Sequence, residues 1–149
     1  MRFSSLLSGL CLFFCFSLTA QPATWSSRGV GGGGALFSPS INPANNNEYF
    51  VACDLSALFH TKDYGQHYDL VHFSELQGGH NSKVCYTTTP GLLYCIRYAN
   101  DQVLPVKSTN GGVTWNTLLG NPDDSEVTFS IWADYDQPNR VIVAHYGQI

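Results

Sequence analysis

The sequence predicts an all-β fold made of repeated four-stranded antiparallel sheets. No long stretch of the 149 residues spaces its apolar side chains at the roughly 3.6-residue period of a helix. Short runs rich in β-branched and aromatic residues alternate instead with turns rich in Gly, Pro, Asn and Asp. In addition, two similar eight-residue segments begin 47 positions apart, a spacing that suits a repeat of four short strands.

Residues 1–20 have the composition of a signal peptide. Arg2 precedes an apolar stretch that is interrupted only by Ser, Gly and Cys, and the small residue Ala20 precedes the expected cleavage site, with Ala23 as the alternative. The stretch is too short and too poorly flanked to span a membrane. We therefore expect a secreted or periplasmic protein that keeps no stable membrane span after cleavage.

Charge and histidine spacing exclude two kinds of partner. Seven Lys and Arg stand against eleven Asp and Glu, which gives a net charge of −4. Phosphate binding needs clustered basic side chains, and this sequence has no such cluster, so no nucleic-acid partner is expected. The five histidines show no metal-ligand spacing with cysteines or acids, so we expect neither a metal nor a cofactor.

Residues 21–32 form a Gly-rich lead-in to the first strands. The glycine run at 29–34 satisfies the G-x-G-x-x-G pattern of dinucleotide-binding proteins, and Asp54 follows at a suitable distance. A signal peptide, not a buried strand, precedes this run, and Pro39 and Pro43 exclude the helix that would hold the pyrophosphate. A nucleotide site is therefore not expected.

Strands are predicted at seven places in the remaining chain. They cover residues 49–53, 58–60, 83–86, 92–98, 103–106, 127–132 and 141–144. Clusters of turn residues separate them, including one at 38–43 and another at 120–124. The segments around residues 52 and 144 also match each other at nearly twice the spacing of the shorter repeat.

The strands group into blades of a β-propeller. Blade one spans about residues 33–73, blade two about 82–119, and a partial blade covers 127–149. Propellers are built from four-stranded blades of this length, and they need at least four blades to close. We therefore expect residues 33–149 to form an incomplete propeller, a fragment that needs the remaining blades to close the ring.

Two turn segments share one template: a hydroxyl residue, then Asp or Asn, then Gly, and finally an aromatic residue. The eight positions are Thr61, Asp63, Gly65 and Tyr68 in blade one, and Ser108, Asn110, Gly112 and Trp115 in blade two. The carboxylate or amide accepts hydrogen bonds from turn amides, the glycine adopts a positive φ, and the hydroxyl caps the neighbouring backbone. The aromatic residue is expected to pack between blades. We therefore predict structural roles for all eight.

These segments resemble the Asp-boxes, or bacterial neuraminidase repeats, of β-propeller proteins. Tyr68 replaces the usual Trp and Asn110 replaces the usual Asp. Tyr can fill similar space, and Asn keeps an acceptor oxygen while losing the charge. The resemblance implies an Asp-box propeller, a fold on which many carbohydrate-active proteins are built.

The first third of the chain has a closer resemblance, to the tandem-propeller xyloglucanases, a glycoside hydrolase family. The resemblance is carried by Trp25, the run at 31–36, Ser38-Pro39, Asn42-Pro43 and the run at 49–59. In that family a Thr-Asp-Val-Gly-Gly segment after the second strand holds a catalytic Asp, and Asp54 falls on that position. Cys53 replaces the Thr, and Ser56 and Ala57 replace the Gly pair. The resemblance implies that Asp54 is a candidate general base.

Two functions remain open. Inverting glycosidases need two carboxyl groups about 6.5–9.5 Å apart, and in the resembled family the second lies in another propeller. We therefore expect hydrolysis of a β-glucan by the complete protein and no activity of this polypeptide alone. The alternative is a non-catalytic propeller, similar to sortilin-like receptors or extracytoplasmic assembly factors, that binds a protein or a glycan. Asp54 would then be an ordinary turn residue.

Three cysteines lie beyond the predicted signal peptide. An oxidising compartment favours one disulfide and one free thiol. A hairpin with a three-residue loop at 89–91 would place Cys85 directly opposite Cys95, which makes the pair a candidate disulfide. A change of register by one residue would put the two out of line.

Overall fold

A computed structural model describes residues 24–31, 34–99, 102–119 and 127–146. The predicted signal peptide lies outside these ranges. The described residues form ten strands and no helix, so the predicted all-β class is confirmed. Within the same ranges there is accordingly no apolar helix long enough to cross a membrane.

The strands form two four-stranded sheets and one two-stranded sheet. In chain order they are β1 (Leu36–Asn42), β2 (Asn45–Cys53), β3 (Leu58–Thr61), β4 (Asp69–Leu70), β5 (Cys85–Tyr86), β6 (Leu93–Ala99), β7 (Gln102–Ser108), β8 (Asn116–Thr117), β9 (Val127–Ala133) and β10 (Val141–Tyr146). Strands β1 to β4 form blade one, β5 to β8 form blade two, and β9 and β10 form sheet three. Within each sheet, strands that are adjacent in sequence pair antiparallel, which is the meander of a propeller blade.

The structure contains all seven predicted strands and three that were not predicted. The strand predicted at 83–86 is shortened to β5, and the two-residue strands β4 and β8 are too short to show a pattern. Strand β1 runs through the segment predicted as a turn at 38–43. It tolerates Pro39 because it is an edge strand paired only with β2, and its register shifts between Phe37 and Ser40.

Blade two packs through two apolar faces, because successive side chains of a strand point to opposite sides. We call the face towards the next sheet in chain order the front face, and the opposite one the back face. On β6, Tyr94 and Ile96 point to the front, where they pack with sheet three, and Leu93 and Cys95 point to the back, where they pack with blade one.

Two cores hold the three sheets together. The first lies between blades one and two, and its buried side chains include Phe50, Ala52, Leu58, Leu76, Tyr86, Leu93, Cys95, Val106 and Trp115. The second lies between blade two and sheet three, and its buried members are Cys85, Tyr94, Ile96, Ile131 and Ala133. Burial of one large apolar side chain contributes about 1.5–3 kcal/mol. Stability therefore comes from packing between sheets, so each sheet depends on its neighbours.

The candidate disulfide between Cys85 and Cys95 is not formed, because the register differs by one residue. Cys85 pairs with Tyr94, and Cys95 pairs with Val106 on the other side of β6. The side chain of Cys95 therefore points away from Cys85, and the two free thiols lie in different cores. Burial raises the pKa of both thiols, which disfavours the thiolate that oxidation requires.

Candidate functional site

The two ends of blade one carry different turns. Cys53, at the end of β2, pairs with the first residue of β1, so the β2–β3 turn lies beside the beginning of β1. The β3–β4 turn lies at the other end of the blade, where Tyr49 pairs with Thr61. Asp54 is in the first turn, and the template segment at 61–68 forms the second. The candidate catalytic residue and the template turn are therefore at opposite ends of the blade.

Asp54 is an exposed residue whose carboxylate is held by the backbone. Its Oδ1 accepts a 3.0 Å hydrogen bond from the amide of Ala35, and its own amide donates to the Ala35 carbonyl over 3.2 Å. The turn is closed by a 2.8 Å hydrogen bond from the Cys53 amide to the Ala57 carbonyl, and Ser56 has a φ of 69°. Asp54 thus fastens the turn to the residue that precedes β1.

Gly34 is required for this arrangement. Its φ is +103°, a value that favours glycine, and a Cβ at this position would collide with Oδ1 of Asp54. The same Cβ would lie 3.0 Å from Cγ of Leu55 and 3.1 Å from Sγ of Cys53. At least this glycine of the run at 29–34 therefore has a defined role, which is to let the backbone approach the carboxylate.

Exposed apolar side chains flank the Asp54 turn. Leu55 and Phe73 are both more than half exposed, and they border a shallow groove of about 120 Å³ that Ser56, Ala57 and Val71 also line. An exposed aromatic ring beside the turn that holds this carboxylate offers an apolar contact next to a polar one. Neither side chain could be assigned to this turn from the sequence, because Phe73 comes next to it only when the chain folds.

The two template segments form the same hydrogen-bonded turn. In each, the hydroxyl of the first residue donates to Oδ1 of the third over 2.9 Å, from Thr61 to Asp63 and from Ser108 to Asn110. The hydroxyl also accepts from two amides, that of the third residue over 3.3 Å and that of the fifth over 2.9 Å. Oδ1 further accepts from the amide of the seventh residue over 2.9 Å. Every one of these bonds has an equivalent in the other blade.

The glycines and aromatic residues of the two turns meet different neighbours. Gly112 has a φ of +89°, and a Cβ there would lie 2.8 Å from Cζ of Phe50 in blade one. Trp115 is only 4 % exposed, and its Nε1 donates to the Gly112 carbonyl over 2.9 Å. Tyr68 is half-buried instead, with its hydroxyl 2.5 Å from that of Tyr49. The second turn is thus packed between blades, and the first faces away from blade two.

The two turns also differ in charge. Backbone and side-chain hydrogen bonds from His67, whose Nδ1 lies 2.6 Å from Oδ2, hold the pKa of Asp63 well below its usual range. In blade two, the neutral Asn110 accepts the equivalent backbone bond and donates from Nδ2 to Oγ1 of Thr114 over 2.9 Å. The amide therefore reproduces the geometry without the charge.

A groove of about 270 Å³ between the blades holds further titratable side chains. It is lined by His60, Lys62, Asp69, His72 and the turn at residues 111–113, among others. Nε2 of His60 lies 2.9 Å from Oε1 of Glu48, and its ring stacks on Phe50. Burial lowers the pKa of His60. Across the described ranges, no group of three or more His, Cys, Asp and Glu side chains could hold a metal ion.

Comparison with known proteins supports the fold. No protein-family model and no curated protein matches the sequence. The crystal structure of a GH74 enzyme from Niastella koreensis is 18% identical, with a TM-score of 0.48 over 64% of this chain and 16% of that chain. The β-propeller YCF48, solved with a D1 peptide, is 12% identical, with a TM-score of 0.51 over 74% of this chain and 39% of that chain. The chain thus spans less than half of either. Together with the antiparallel four-stranded sheets, the likeness to YCF48 confirms the predicted fold of propeller blades.

Proposed function

We propose that the chain belongs to an exported Asp-box propeller that acts on a polysaccharide, and that Asp54 is the general base of a xyloglucanase-like glycoside hydrolase. One observation carries the proposal. The Asp54 carboxylate is exposed at the end of blade one, and the Ala35 amide fixes its Oδ1. A general base must be positioned before the substrate arrives, and a backbone hydrogen bond provides that position.

Assignment of the two template turns as Asp-boxes is supported by their matching hydrogen bonds. Both occupy the hairpin between the third and fourth strands of a blade. Both use a hydroxyl, an Oδ1 acceptor and a glycine with positive φ in the same positions. The local geometry therefore repeats with the sequence template, as expected for a structural motif that recurs from blade to blade.

The resemblance to the xyloglucanases is supported at two further positions. Gly34 allows the backbone before β1 to approach Asp54, which gives a physical reason for glycine at the end of the run at 29–34. Ser56 replaces the first Gly of the family's pair and adopts a φ of 69°, so the turn retains a conformation that glycine favours. The exposed ring of Phe73 would stack on a sugar ring beside the carboxylate.

In an inverting mechanism Asp54 would accept a proton from the attacking water. A second carboxyl group about 6.5–9.5 Å away would protonate the leaving oxygen. In the resembled family that acid lies in a second propeller, and we propose the same division here.

The test is hydrolysis of xyloglucan by the complete protein and by its Asp54→Asn variant. Asn keeps the acceptor for the Ala35 amide but removes the base, so we expect kcat to fall by about 100-fold or more with little change in Tm. Asp134→Asn is the control, because Oδ1 of Asp134 also accepts backbone amides within a turn, in sheet three. Its Oδ2 also accepts from Arg140, so this control is compared in kcat and not in Tm. Full turnover by Asp54→Asn would show that the catalytic role is wrong.

A second candidate is a binding propeller without catalysis. The hydrogen bonds that hold Asp54 lie within the first blade, as a turn aspartate requires. YCF48 was solved with a peptide bound. The same protein preparations distinguish the candidates: saturable binding of a glycan or peptide that survives Asp54→Asn, with no hydrolysis by the complete protein, would favour the binding role.

A further inference from the structure

The segment between blades one and two contacts the turn that carries Asp54. This inter-blade segment, residues 71–84, runs from the end of β4 to the start of β5. Within it, the Gly78 amide donates a 3.0 Å hydrogen bond to the carbonyl of Ser56, which lies two residues after Asp54. The φ of Ser56 is 69°, so this bond holds a residue in a conformation that glycine favours. The Asp54 turn is therefore fastened from the side of blade two as well as by Ala35.

Gly78 leaves no room for a side chain. The residue is buried, and a Cβ at this position would lie 2.5 Å from the carbonyl oxygen of Ala57 and 3.0 Å from the carbonyl carbon. The same carbonyl oxygen accepts the 2.8 Å hydrogen bond from the Cys53 amide that closes the turn around Asp54. A side chain at position 78 would therefore disturb the backbone that carries the Asp54 carboxylate.

The residues that flank Gly78 are bonded to β6 of blade two. The Gln77 carbonyl accepts a 2.9 Å hydrogen bond from the Tyr98 amide. Oγ of Ser82, a fully buried residue, donates to the Ile96 carbonyl over 2.7 Å. The inter-blade segment cannot move away from the turn without breaking these bonds. A side chain at position 78 would thus displace the exposed turn more readily than the buried segment.

We propose that Gly78 is a positioning residue for Asp54, because it lets the inter-blade segment hold the turn where the carboxylate meets its substrate. The inference rests on the proposed function, since it concerns the position of the base proposed there. Gly78 itself does not contact the carboxylate and acts through the carbonyls of Ser56 and Ala57. The position of the base in blade one thereby depends on blade two.

The first test is the hydrolysis of xyloglucan by the Gly78→Ala variant of the complete protein. We expect kcat to fall by about 10- to 100-fold with little change in KM, because a displaced base slows the reaction more than it weakens substrate binding. Gly91→Ala is the matched control. Gly91 also lies against backbone, with a Cβ position 3.1 Å from the Thr109 carbonyl oxygen, but it is beside the template turn of blade two. This control should lower Tm and leave kcat unchanged.

A double-mutant cycle with Ser56→Gly tests whether the effect passes through the turn. Glycine at position 56 lets the backbone yield to the added methyl group without moving Asp54. We therefore expect Gly78→Ala to lower kcat by only about threefold in the Ser56→Gly background. Ser56→Gly itself should fold, because its φ is one that glycine adopts. If Gly78→Ala alone does not fold, the double variant is compared with Ser56→Gly, and equal kcat values would overturn the proposal.

Amide exchange gives a second measurement that does not need turnover. The Ala35 amide donates to Oδ1 of Asp54, so its exchange with deuterium reports whether the carboxylate is still held. We expect faster exchange of the Ala35 amide in Gly78→Ala than in the parent, and the parent rate in Gly91→Ala. Equal rates in all three proteins would contradict a positioning role.

Different kinetic outcomes overturn the inference and the proposed function. Parent-like kcat in Gly78→Ala, together with an inactive Asp54→Asn, would overturn the inference alone. Equal losses in the parent and Ser56→Gly backgrounds would also overturn it, because the effect would not pass through the turn. Full turnover by Asp54→Asn would overturn the proposed function, and the inference with it.

Discussion

The two template turns have the same hydrogen bonds in different surroundings. In both, a hydroxyl and an Oδ1 atom satisfy the same four backbone and side-chain bonds at matching distances. Trp115, however, is buried between blades one and two, whereas Tyr68 is half-buried on the back face of blade one. The comparison separates what eight residues determine by themselves from what a neighbouring blade adds.

The hydrogen bonds are local because their partners lie within four positions of one another. Such a turn forms wherever its template occurs, with Asp63 or with Asn110. Burial of the aromatic residue is not local, because Trp115 needs Phe50 of the preceding blade to cover Gly112. We therefore expect the aromatic residues to differ most in their energetic contribution, and the hydroxyls to differ least.

The largest expected effect is on Trp115. Trp115→Ala removes a buried aromatic side chain from the core between blades and should lower the free energy of unfolding by about 3–5 kcal/mol. Tyr68→Ala removes a half-buried ring from one open face and should cost about 1–2 kcal/mol. Urea unfolding at a concentration where the chain is monomeric measures both.

Conservative variants test the cause of that difference. Trp115→Phe keeps most of the packing and loses the hydrogen bond to the Gly112 carbonyl. We therefore expect its free energy of unfolding to lie between that of the parent and that of Trp115→Ala. Tyr68→Phe loses only the hydroxyl that faces Tyr49 and the Arg28 carbonyl. Equal losses for the two alanine variants would contradict the view that a neighbouring blade determines the contribution.

The same distinction explains which features the sequence could predict. The template residues, from Thr61 to Trp115, are in their expected hairpins because short-range bonds define those turns. Strands β2, β6 and β10 were predictable because each contains a run of apolar and aromatic residues. The two-residue strands β4 and β8 have no pattern of their own and exist only because β3 and β7 precede them.

Long-range features could not be predicted. The pairing of Cys85 depends on the register of β5 with β6, and a shift of one residue separates it from Cys95. The contact of Gly34 with Asp54 joins the segment before β1 to a turn beyond β2, and no local pattern indicates it. The position of Asp54 itself was implied by a family resemblance, but the role of Ala35 in holding its carboxylate required the fold.

The hydroxyls should contribute similarly in the two turns. Thr61→Val and Ser108→Ala each leave two backbone amides and one Oδ1 atom without this partner in a buried setting, so each should lower the free energy of unfolding by about 1–3 kcal/mol. Thr109→Ala removes an exposed hydroxyl beside Ser108 and should change the free energy of unfolding by less than about 0.5 kcal/mol. Losses that differ strongly between the blades would show that the turn is not a local unit.

The smallest effect concerns charge and appears only in acid. Hydrogen bonds from the backbone and then the side chain of His67 lower the pKa of Asp63 in the folded chain. A lowered folded pKa gives stability that is fully present above the unfolded pKa, near 4, and that is lost as the pH falls through the folded pKa. Asn110 does not titrate, so the turn in blade two has no such dependence.

The charge difference between the two turns can therefore be tested by replacing Asp63 with Asn and Asn110 with Asp. Asp63→Asn should lower Tm at neutral pH, and its deficit relative to the parent should shrink as the pH falls from about 6 to about 2. Asn110→Asp should add an acid-sensitive contribution to the stability of blade two. This contribution should be smaller than that of Asp63 in blade one, because Thr114 stands where blade one has the imidazole of His67. Melting curves across this pH range measure both variants. If the profiles of the parent and Asp63→Asn were parallel, the carboxylate would be acting only as an acceptor, and its charge would be irrelevant to the turn.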